Sequence, residues 1–546
     1  MPDQLDAKFA LKSYRPGQKE AIKSVLRAFA NGKKYVLLEG PTGTGKSAIA
    51  HTVAQFFEKS YYLTPQKILQ DQLMRDFGDN GDKKRPDLFE MVDLKGRNAY
   101  PCVYWSNKLA DIDNQHPDFA KLWGLNSQNL GCDQGECKRR GHAKLDECFN
   151  SNPPCPYFQR LNKAVSSKIC LMNFSSFLFQ TTYTERFEPR RLMVLDECHN
   201  VEDILSKFVE IKISDRYFQF DGIRFPKLDS VSEYIDYFLE IDIVNRIQLQ
   251  ITLAKSIPDP QQEQEWTNLL VKYRALLESE PEEWVCDYSE VSSGASRTVI
   301  IKPIFVQRFA REMLFSMADY FLMMSATVLS KKVLCQALGL SLDEAFFLQL
   351  GCNFPVENRQ VLYQPSGKMT YNEKAETLPK LAADVDRICS KHIGERGIIH
   401  AHTFEICEYL MRNCKSKSRF LYQKSSYFDG DRDAVLEEHA KITDAVILAP
   451  AMHEGLDMKD DLGRFQIICK VPYPSKGDPQ VSARMELAPM YYDWRTMTKL
   501  IQSCGRIIRH SEDHGKTYVL DEDFERFMKR NIKLVPKWFA KSIIWS

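Results

Sequence analysis

The sequence Tyr35–Ser47, YVLLEGPTGTGKS, decides the fold. An apolar run typical of a buried parallel strand leads into a loop with the spacing G-x-x-x-x-G-K-S, and apolar residues then recur at helical spacing up to Phe57. In this pattern the glycines let backbone amides approach phosphate oxygens, the lysine reaches the β- and γ-phosphates, and the serine binds Mg²⁺. A chance glycine-rich loop is disfavoured because strand, loop and helix follow in order. The stretch therefore predicts a P-loop that binds ATP and Mg²⁺ through Gly40, Thr42, Gly43, Thr44, Gly45, Lys46 and Ser47.

The composition sets the class of protein. A chain of 546 residues is too long for one core, so we expect roughly three or four domains. Lys and Arg (74) nearly balance Asp and Glu (73), so a polyanionic partner would have to meet local basic patches. The N-terminus does not resemble a signal peptide, and no segment reaches the length of a membrane span. We therefore expect an intracellular, soluble protein with no membrane partner.

Two flanking segments extend the P-loop unit. Tyr14–Gln18 begins a helix-like segment, in which Gln18 either reads an adenine edge or lies in a surface turn. Tyr61–Pro65 indicates a second strand, and a helix through Ile68 and Met74 follows it. Because strand, loop and helix repeat, the sequence predicts a parallel α/β sheet.

The repeat stops between about residues 98 and 158, where five of the fifteen cysteines lie. The intervals between them are 29, 4, 10 and 6 residues, which contain no C-x-x-C pair and disfavour a zinc ribbon or finger. Thiolates on irregular loops suit an iron–sulfur cluster better. Free cysteines in an insert are the alternative. The five cysteines are Cys102, Cys132, Cys137, Cys148 and Cys155.

A second strand-end motif lies at Leu192–Leu195, which leads directly into Asp196-Glu197-Cys198-His199. Active sites of open α/β sheets lie at the carboxyl ends of the strands, so Asp196 is predicted to hold Mg²⁺ through water. Glu197 is then the base that orients the attacking water, and His199 connects the nucleotide site to moving parts. The alternative, a solvated acidic turn, is less favourable with a P-loop upstream.

The second half of the chain indicates a further α/β domain. Apolar strands are predicted near residues 320, 397, 445 and 465, but no second P-loop follows. This domain is predicted to complete the first site through Asp457, at the nucleotide, and through the catalytic residues Gln502, Arg506 and Arg509. The two arginines are three apart on a predicted helix, so both can face a γ-phosphate. Two solvated arginines are the alternative.

These motifs together resemble those of the superfamily 2 DNA helicases of the XPD and DinG type. GPTGTGKS, DECH, SAT, EGLD and QSCGRIIR stand in the family's order, and the contexts of Cys102 and Cys155 are similar to those of its first and last cluster ligands. The resemblance implies a 4Fe-4S cluster on four cysteines. With five candidates present, we predict Cys102, Cys137, Cys148 and Cys155 as ligands and Cys132 as the extra cysteine.

The resemblance also implies the architecture. The expected α/β fold has two RecA-like motor domains, with an iron–sulfur cluster insert and a helical arch insert in the first. The predicted parts of the first motor domain are residues 1–97, 161–204 and 301–335. The predicted cluster domain is 98–160, the helical arch is 205–300, and the second motor domain is 336–546.

The implied activity is that of an ATP-dependent DNA helicase that translocates 5′→3′ on single-stranded DNA and unwinds tailed duplexes. A monomeric motor in the cytoplasm, nucleoid-associated in a prokaryote, is expected. One alternative is a DNA-stimulated ATPase or translocase that remodels protein–DNA complexes without processive unwinding. Another is a nucleic-acid-binding subunit with a vestigial ATPase, which intact Lys46, Asp196, Glu197 and Arg506 disfavour.

Overall fold

The structure is a computed structural model of the chain. It describes residues 2–78, 90–103, 106, 131–134, 154–184, 186–256, 260–290, 296–425, 428, 430–450 and 458–545. Within these ranges no helix has the length and apolarity needed to cross a bilayer.

The strands alternate with helices along most of the described chain. In chain order the strands are β1 (Tyr35–Glu39), β2 (Ser60–Thr64), β3 (Met91–Leu94), β4 (Ile169–Asn173), β5 (Arg190–Leu195), β6 (Ile211–Ser214), β7 (Trp284–Glu290), β8 (Arg297–Pro303), β9 (Ala318–Ser325), β10 (Ala345–Gln349), β11 (Arg359–Gly367), β12 (Gly397–His400), β13 (Phe420–Tyr422), β14 (Val446–Ala449), β15 (Phe465–Ile468), β16 (Gly515–Asp521) and β17 (Ile543–Ile544).

The α-helices are numbered separately. They are α1 (Pro2–Lys8), α2 (Gln18–Ala30), α3 (Lys46–Ala54), α4 (Lys67–Phe77), α5 (Pro156–Ser166), α6 (Phe174–Tyr183), α7 (Val201–Val209), α8 (Val231–Glu240), α9 (Ile243–Ser256), α10 (Pro260–Leu277), α11 (Gln307–Ala310), α12 (Lys331–Leu338), α13 (Lys374–Lys391), α14 (Phe404–Asn413), α15 (Arg432–Lys441), α16 (Pro479–Leu487), α17 (Pro489–Cys504), α18 (Asp523–Arg530) and α19 (Lys537–Ala540).

Sheet 1 has seven strands in the order β10-β1-β9-β5-β2-β4-β3, and all of its pairs are parallel. Strands β1 and β2 are buried along their whole length, as expected for a sheet covered by helices on both faces. Because β1, β9 and β5 are neighbours, their carboxyl ends meet at one edge. The P-loop, Ser325 and Asp196 therefore come together at that edge.

Sheet 2 also has seven strands, in the order β13-β14-β12-β15-β16-β11-β17, and it too is parallel. Its strands β12, β14 and β15 are buried along their whole length and mainly apolar, with His400 and Gln466 as buried polar residues. Two parallel sheets confirm the predicted α/β class.

The structure corrects the domain boundary that the sequence predicted at residue 336. Strand β10 lies beyond it, yet Ala345–Gln349 pairs in parallel with β1 at the edge of sheet 1. Helix α12 is the crossover that returns the chain to this edge, so sheet 1 extends to Gln349.

Residues 211–303 contain a third sheet, which is antiparallel, in the order β6-β8-β7. Helices α8, α9 and α10 pack with it around a buried aromatic core that includes Phe225, Tyr234, Phe238 and Tyr273. The helices lie within residues 205–300, where a helical insert was expected, whereas the sheet was not predicted.

Helices α16 and α17 connect the two parallel sheets. Trp494 on α17 donates its indole N–H to the Val328 carbonyl at 2.9 Å. Arg484 on α16 forms an ion pair of 3.1 Å with Glu202 on α7, and both side chains are at least 96% buried, with exposures of 4% and 2%. Arg495 on α17 pairs with Asp203 and donates to the His199 carbonyl at 3.0 Å. Helix α17 is thereby fixed against the carboxyl edge of sheet 1.

Candidate nucleotide-binding and hydrolysis site

The P-loop connects β1 to α3 through two glycines in the left-handed region, Gly43 at φ 81° and Gly45 at φ 77°. The loop turns tightly, since a Cβ on Gly40 would lie 2.9 Å from the Thr44 hydroxyl. The Lys46 ammonium donates to the Gly40 carbonyl at 2.9 Å and thus lies across the loop. Backbone amides at the start of α3, together with this ammonium, form a site suited to a polyphosphate.

Gln18 lies behind the P-loop and is only 1% exposed, so the surface-turn alternative is wrong. Its amide nitrogen donates to the carbonyls of Thr44 and Gly45, both at 3.2 Å. Its amide oxygen accepts from the Arg15 backbone N–H at 2.7 Å. The side chain therefore holds the P-loop in shape, and its role in reading an adenine edge stays a prediction.

Asp196 and Glu197 follow the buried end of β5. Glu197 has φ 50°, so the chain turns sharply after Asp196, and the Glu197 amide donates to the Asp196 carboxylate at 3.1 Å. Burial, together with the neighbouring Glu197 carboxylate, raises the pKa of Asp196. A divalent cation is the natural partner for two carboxylates held in such a setting.

The His199 side chain is 3% exposed, and its ring nitrogens lie close to polar groups of other segments. Its Nδ1 lies 2.9 Å from the Ser325 hydroxyl and 3.4 Å from the Glu197 carboxylate. The Ser325 hydroxyl accepts from the Thr327 amide at 3.0 Å and is 3.4 Å from Glu197. Sequence reasoning gave Ser325 and Thr327 no role, although their place at the end of a predicted strand was a usable signal.

Gln502 brings sheet 2 into this site from the last turn of α17. Its amide nitrogen is 3.0 Å from His199 Nε2 and donates to the Thr327 hydroxyl at 3.0 Å. Arg506 donates to the Gln502 amide oxygen at 3.2 Å. A continuous hydrogen-bonded path therefore runs from Glu197 in one parallel unit to Arg506 in the other.

Arg506 and Arg509 do not lie on a helix, which corrects that part of the prediction. Helix α17 ends at Cys504 with Gly505 as its cap, and both arginines stand in the irregular segment that follows. The Arg509 amide donates to the buried Asp513 carboxylate at 3.1 Å, and Asp513 also pairs with Arg464 at 3.0 Å. Asp513 was missed by sequence reasoning; it fixes the backbone of the arginine segment.

The P-loop, Glu197, Gln502 and the two arginines line one cleft between the parallel sheets. It holds about 740 Å³ of empty space open to solvent. Asp457 and the rest of EGLD lie outside the described residues.

Three of the five clustered cysteines meet in space. Cys132 Sγ lies 3.7 Å from Cys155 Sγ, and the thiols of Cys102 and Cys132 are also hydrogen-bonded. The contact with Cys132 lowers the pKa of Cys155 to about 6. Cys132, which we predicted as the extra cysteine, thus lies among the proposed ligands. Cys137 and Cys148 lie outside the described residues.

Local pairing explains the position of Cys132. An antiparallel bridge joins Pro101 to Gly131, and the Cys132 amide donates to the Tyr100 carbonyl at 2.8 Å. These contacts bring Cys102 and Cys132 side by side despite 29 intervening residues.

Comparisons with known proteins agree with this arrangement. Residues 389–542 match the family described as Helicase C-terminal domain, and residues 11–221 match the type III restriction enzyme, res subunit. The ATP-dependent DNA helicase YoaA of Escherichia coli (strain K12) is 22% identical over 620 residues, covering 95% of this chain and 93% of that protein. YoaA of Haemophilus influenzae is also 22% identical, with coverages of 95% and 92%.

Solved structures share the fold. An XPD helicase matches with a TM-score of 0.65 at 15% identity, covering 98% of this chain and 100% of that one. A second XPD structure, in its apo form, matches with a TM-score of 0.59 at 12% identity, covering 96% and 100%.

A P-loop at one parallel sheet lies beside a glutamine and arginines from a second, as expected from the resemblance to superfamily 2 helicases. The two family matches and the two full-length relatives support this resemblance: the chain is similar to ATP-dependent DNA helicases of the XPD and DinG type. The resemblance in the sequence is thereby confirmed.

Proposed function

We propose that the protein is an ATP-dependent DNA helicase that hydrolyses ATP in the cleft between its two parallel sheets. One observation carries the proposal: Gln502 joins His199 and Thr327 of one unit to Arg506 of the other. Hydrolysis at the P-loop would then be coupled to the relative position of the units. That coupling is what a motor on DNA requires.

Each residue of the site has a distinct role in hydrolysis. Lys46 binds the β- and γ-phosphates, and Glu197 orients and deprotonates the attacking water. His199 keeps the Glu197 carboxylate oriented through their contact of 3.4 Å. Arg506 and Arg509 approach from the other unit and stabilise the charge that develops on the γ-phosphate.

Ser47 and Asp196 are the residues that would hold Mg²⁺. The Ser47 hydroxyl lies at the start of α3 and the Asp196 carboxylate follows the end of β5, so both lie at the P-loop edge of sheet 1. Oxygen ligands of this kind suit Mg²⁺. A bound Mg²⁺ ion would neutralise part of the phosphate charge.

The residues around Cys102, Cys132 and Cys155 fit a 4Fe-4S cluster. Their thiols converge within contact distance of one another, as cluster ligands must. We assign these three as ligands and take the fourth from Cys137 or Cys148. When bound, the group supplies metal–thiolate bonds that join remote segments in place of an apolar core.

The DNA path, the direction of movement and the oligomeric state are proposed from the resemblance to the helicase family. Residues 205–300 would form the arch that encloses single-stranded DNA together with the cluster domain. Movement is 5′→3′ along one strand, by a monomeric motor in the cytoplasm or, in a prokaryote, at the nucleoid. Basic and aromatic groups would hold the strand without reading its sequence.

Unwinding of matched duplexes tests this function. Anaerobically purified protein is incubated with ATP, Mg²⁺ and duplexes that carry either a 5′ or a 3′ single-stranded tail. We expect strand separation on the 5′-tailed duplex only, and phosphate release that single-stranded DNA stimulates. Stimulated phosphate release without separation on either duplex would instead indicate a translocase, and unstimulated or absent release would refute the motor.

A further inference from the structure

We propose that Gln466, a buried glutamine in the core of sheet 2, is a positioning residue for ATP hydrolysis: it holds the end of helix α17 and so fixes the place of Arg506 in the cleft. The inference rests on the proposed hydrolysis of ATP in that cleft. It assigns a role to a residue that belongs to none of the sequence motifs and is not among the residues that line the cleft.

Gln466 is a polar residue at a position that favours apolar ones. It lies on β15, the central strand of sheet 2, and its exposure is 0%. The other residues of β15 are apolar and buried. Burying an amide is costly unless its polar groups are hydrogen-bonded, so the contacts of this side chain are the guide to its role.

The Gln466 amide nitrogen donates two hydrogen bonds. One goes to the Thr517 hydroxyl at 2.7 Å, directly across the pair of strands, because Thr517 on β16 is the register partner of Gln466. The other goes to the main-chain carbonyl of Cys504 at 2.6 Å. Thr517 thus holds the amide within the sheet, and the contact with Cys504 joins the sheet to α17.

Cys504 is the last residue of α17. The final carbonyls of an α-helix have no partner within the helix and need one elsewhere. Gln466 is such a partner for Cys504, and it acts from a buried strand and not from a loop. Gly505, the cap, donates to carbonyls of the preceding turn. The end of the helix is therefore fixed against the core of sheet 2.

Two groups of the proposed site lie on either side of this fixed point. Gln502 is two residues before Cys504, and Arg506 is two residues after it. Arg506 donates to the Gln502 amide oxygen at 3.2 Å, and both residues line the cleft. A shift of the Cys504 carbonyl would displace both side chains, and a misplacement of about 1 Å can cost about 100-fold in rate.

His400 shows that the charge of Arg506 lies close to this buried network. His400 ends β12 two residues after Ile398, the register partner of Gln466, so it lies on the same face of the sheet. Its pKa is lowered to about 4, first by burial and then by the charge of Arg506, while a hydrogen bond to Gln466 acts in the opposite direction. The imidazole is therefore neutral at neutral pH and does not repel the arginine.

Two affinities measured on the full chain test the role of Gln466: that for ADP, and that for ADP with aluminium fluoride, both with Mg²⁺ and single-stranded DNA. The fluoride complex mimics the γ-phosphoryl group in transfer, so a transition-state contact appears as a preference for it over ADP.

Gln466→Met keeps the volume of the side chain and removes the donor. We expect the preference for the fluoride complex and kcat to fall by about 10- to 100-fold, because a buried carbonyl loses its partner. The Kd for ADP should change by less than about threefold.

The Arg506→Ala background distinguishes positioning from a merely structural role. If Gln466 acts through Arg506, adding Gln466→Met to Arg506→Ala should lower the preference by less than about threefold more. The matched control is Gln70→Met, which removes another fully buried glutamine, whose amide nitrogen donates to the Leu94 and Leu171 carbonyls at 3.2 and 3.4 Å. We expect the control to keep the parental preference.

Gln466→Glu gives a second variant that keeps the length of the side chain. Burial raises the pKa of a carboxyl group, and the protonated form can donate to the Cys504 carbonyl, whereas the carboxylate cannot. We therefore expect kcat of this variant, relative to the parent at the same pH, to rise as the pH falls. A defect that is independent of pH would contradict the proposed hydrogen bond.

Two further results would overturn the role of Gln466. One is a parental preference for the fluoride complex in a Gln466→Met variant that binds ADP normally. The other is a loss of preference that is equally large with and without Arg506. Failure of the proposed function looks different, because the parent would then neither hydrolyse ATP nor prefer the fluoride complex to ADP.

Discussion

Gln502→Ala removes the side chain that connects the two parallel units at the site. Two hydrogen bonds cross between the units, to His199 Nε2 and to the Thr327 hydroxyl, each at 3.0 Å. A protein hydrogen bond contributes about 0.5–1.5 kcal/mol net, so the closed cleft should lose about 1–3 kcal/mol. If hydrolysis requires the closed cleft, this loss lowers kcat by about 5- to 150-fold.

The assay compares kcat for ATP, measured with saturating single-stranded DNA, with the Kd for ADP. No hydrogen bond joins the Gln502 side chain to Lys46 or the P-loop backbone, so we expect the Kd for ADP to change by less than about threefold, which is about 0.65 kcal/mol. The control is Gln364→Ala, which shortens the same type of side chain on β11, where its amide oxygen accepts from the Arg387 guanidinium at 3.4 Å or more.

An unchanged kcat in Gln502→Ala would refute the coupling role. So would a Kd for ADP that rises by the same factor as kcat falls, because Gln502 would then act on the nucleotide directly. A fall in kcat of equal size in Gln364→Ala would show that the effect is a general loss of stability.

Four further predictions concern single residues. Lys46→Ala should abolish phosphate release while DNA binding, measured by fluorescence anisotropy, stays near the parental value. Glu197→Gln should bind ATP without turning it over, and a parental rate would assign the base to another residue. Arg506→Ala should lower kcat far more than it raises KM, and a defect in KM alone contradicts a role in the transition state. Cys132→Ser should bleach the visible absorption of anaerobic protein and reduce unwinding more than ATP hydrolysis, whereas a coloured, fully active variant would make Cys132 the extra cysteine.

Much of the first unit could be predicted because its signals are contiguous in sequence. The strand, loop and helix of the P-loop appear within 20 residues, Tyr35–Ala54. Asp196 follows its strand directly. In each case one local pattern specifies both the element and the position of the functional group at its end.

The sequence-based predictions failed where tertiary contacts, and not the local sequence, determine the structure. Spacing alone placed Arg506 and Arg509 on a helix, but Gly505 ends it first. Gln18 could not be separated from a surface turn, because its partners are carbonyls of the P-loop 26 and 27 residues later. Strand β10 was assigned to the second unit because an edge strand beyond a crossover helix has no local mark of the sheet it joins.

The cysteines show most clearly that spacing along the chain does not determine which side chains meet in space. Intervals along the chain measure only how far apart two thiols could be, whereas a cluster needs thiols that converge within contact distance. The intervals could argue against a zinc ribbon, since a C-x-x-C pair is local. They could not rank Cys132, because its position depends on the bridge between Pro101 and Gly131, which closes the intervening loop. That bridge holds Cys132 beside Cys102 whatever the number of intervening residues, and Cys132 Sγ lies 3.7 Å from Cys155 Sγ. The proposal that Cys132 is a ligand therefore rests on backbone pairing and not on spacing.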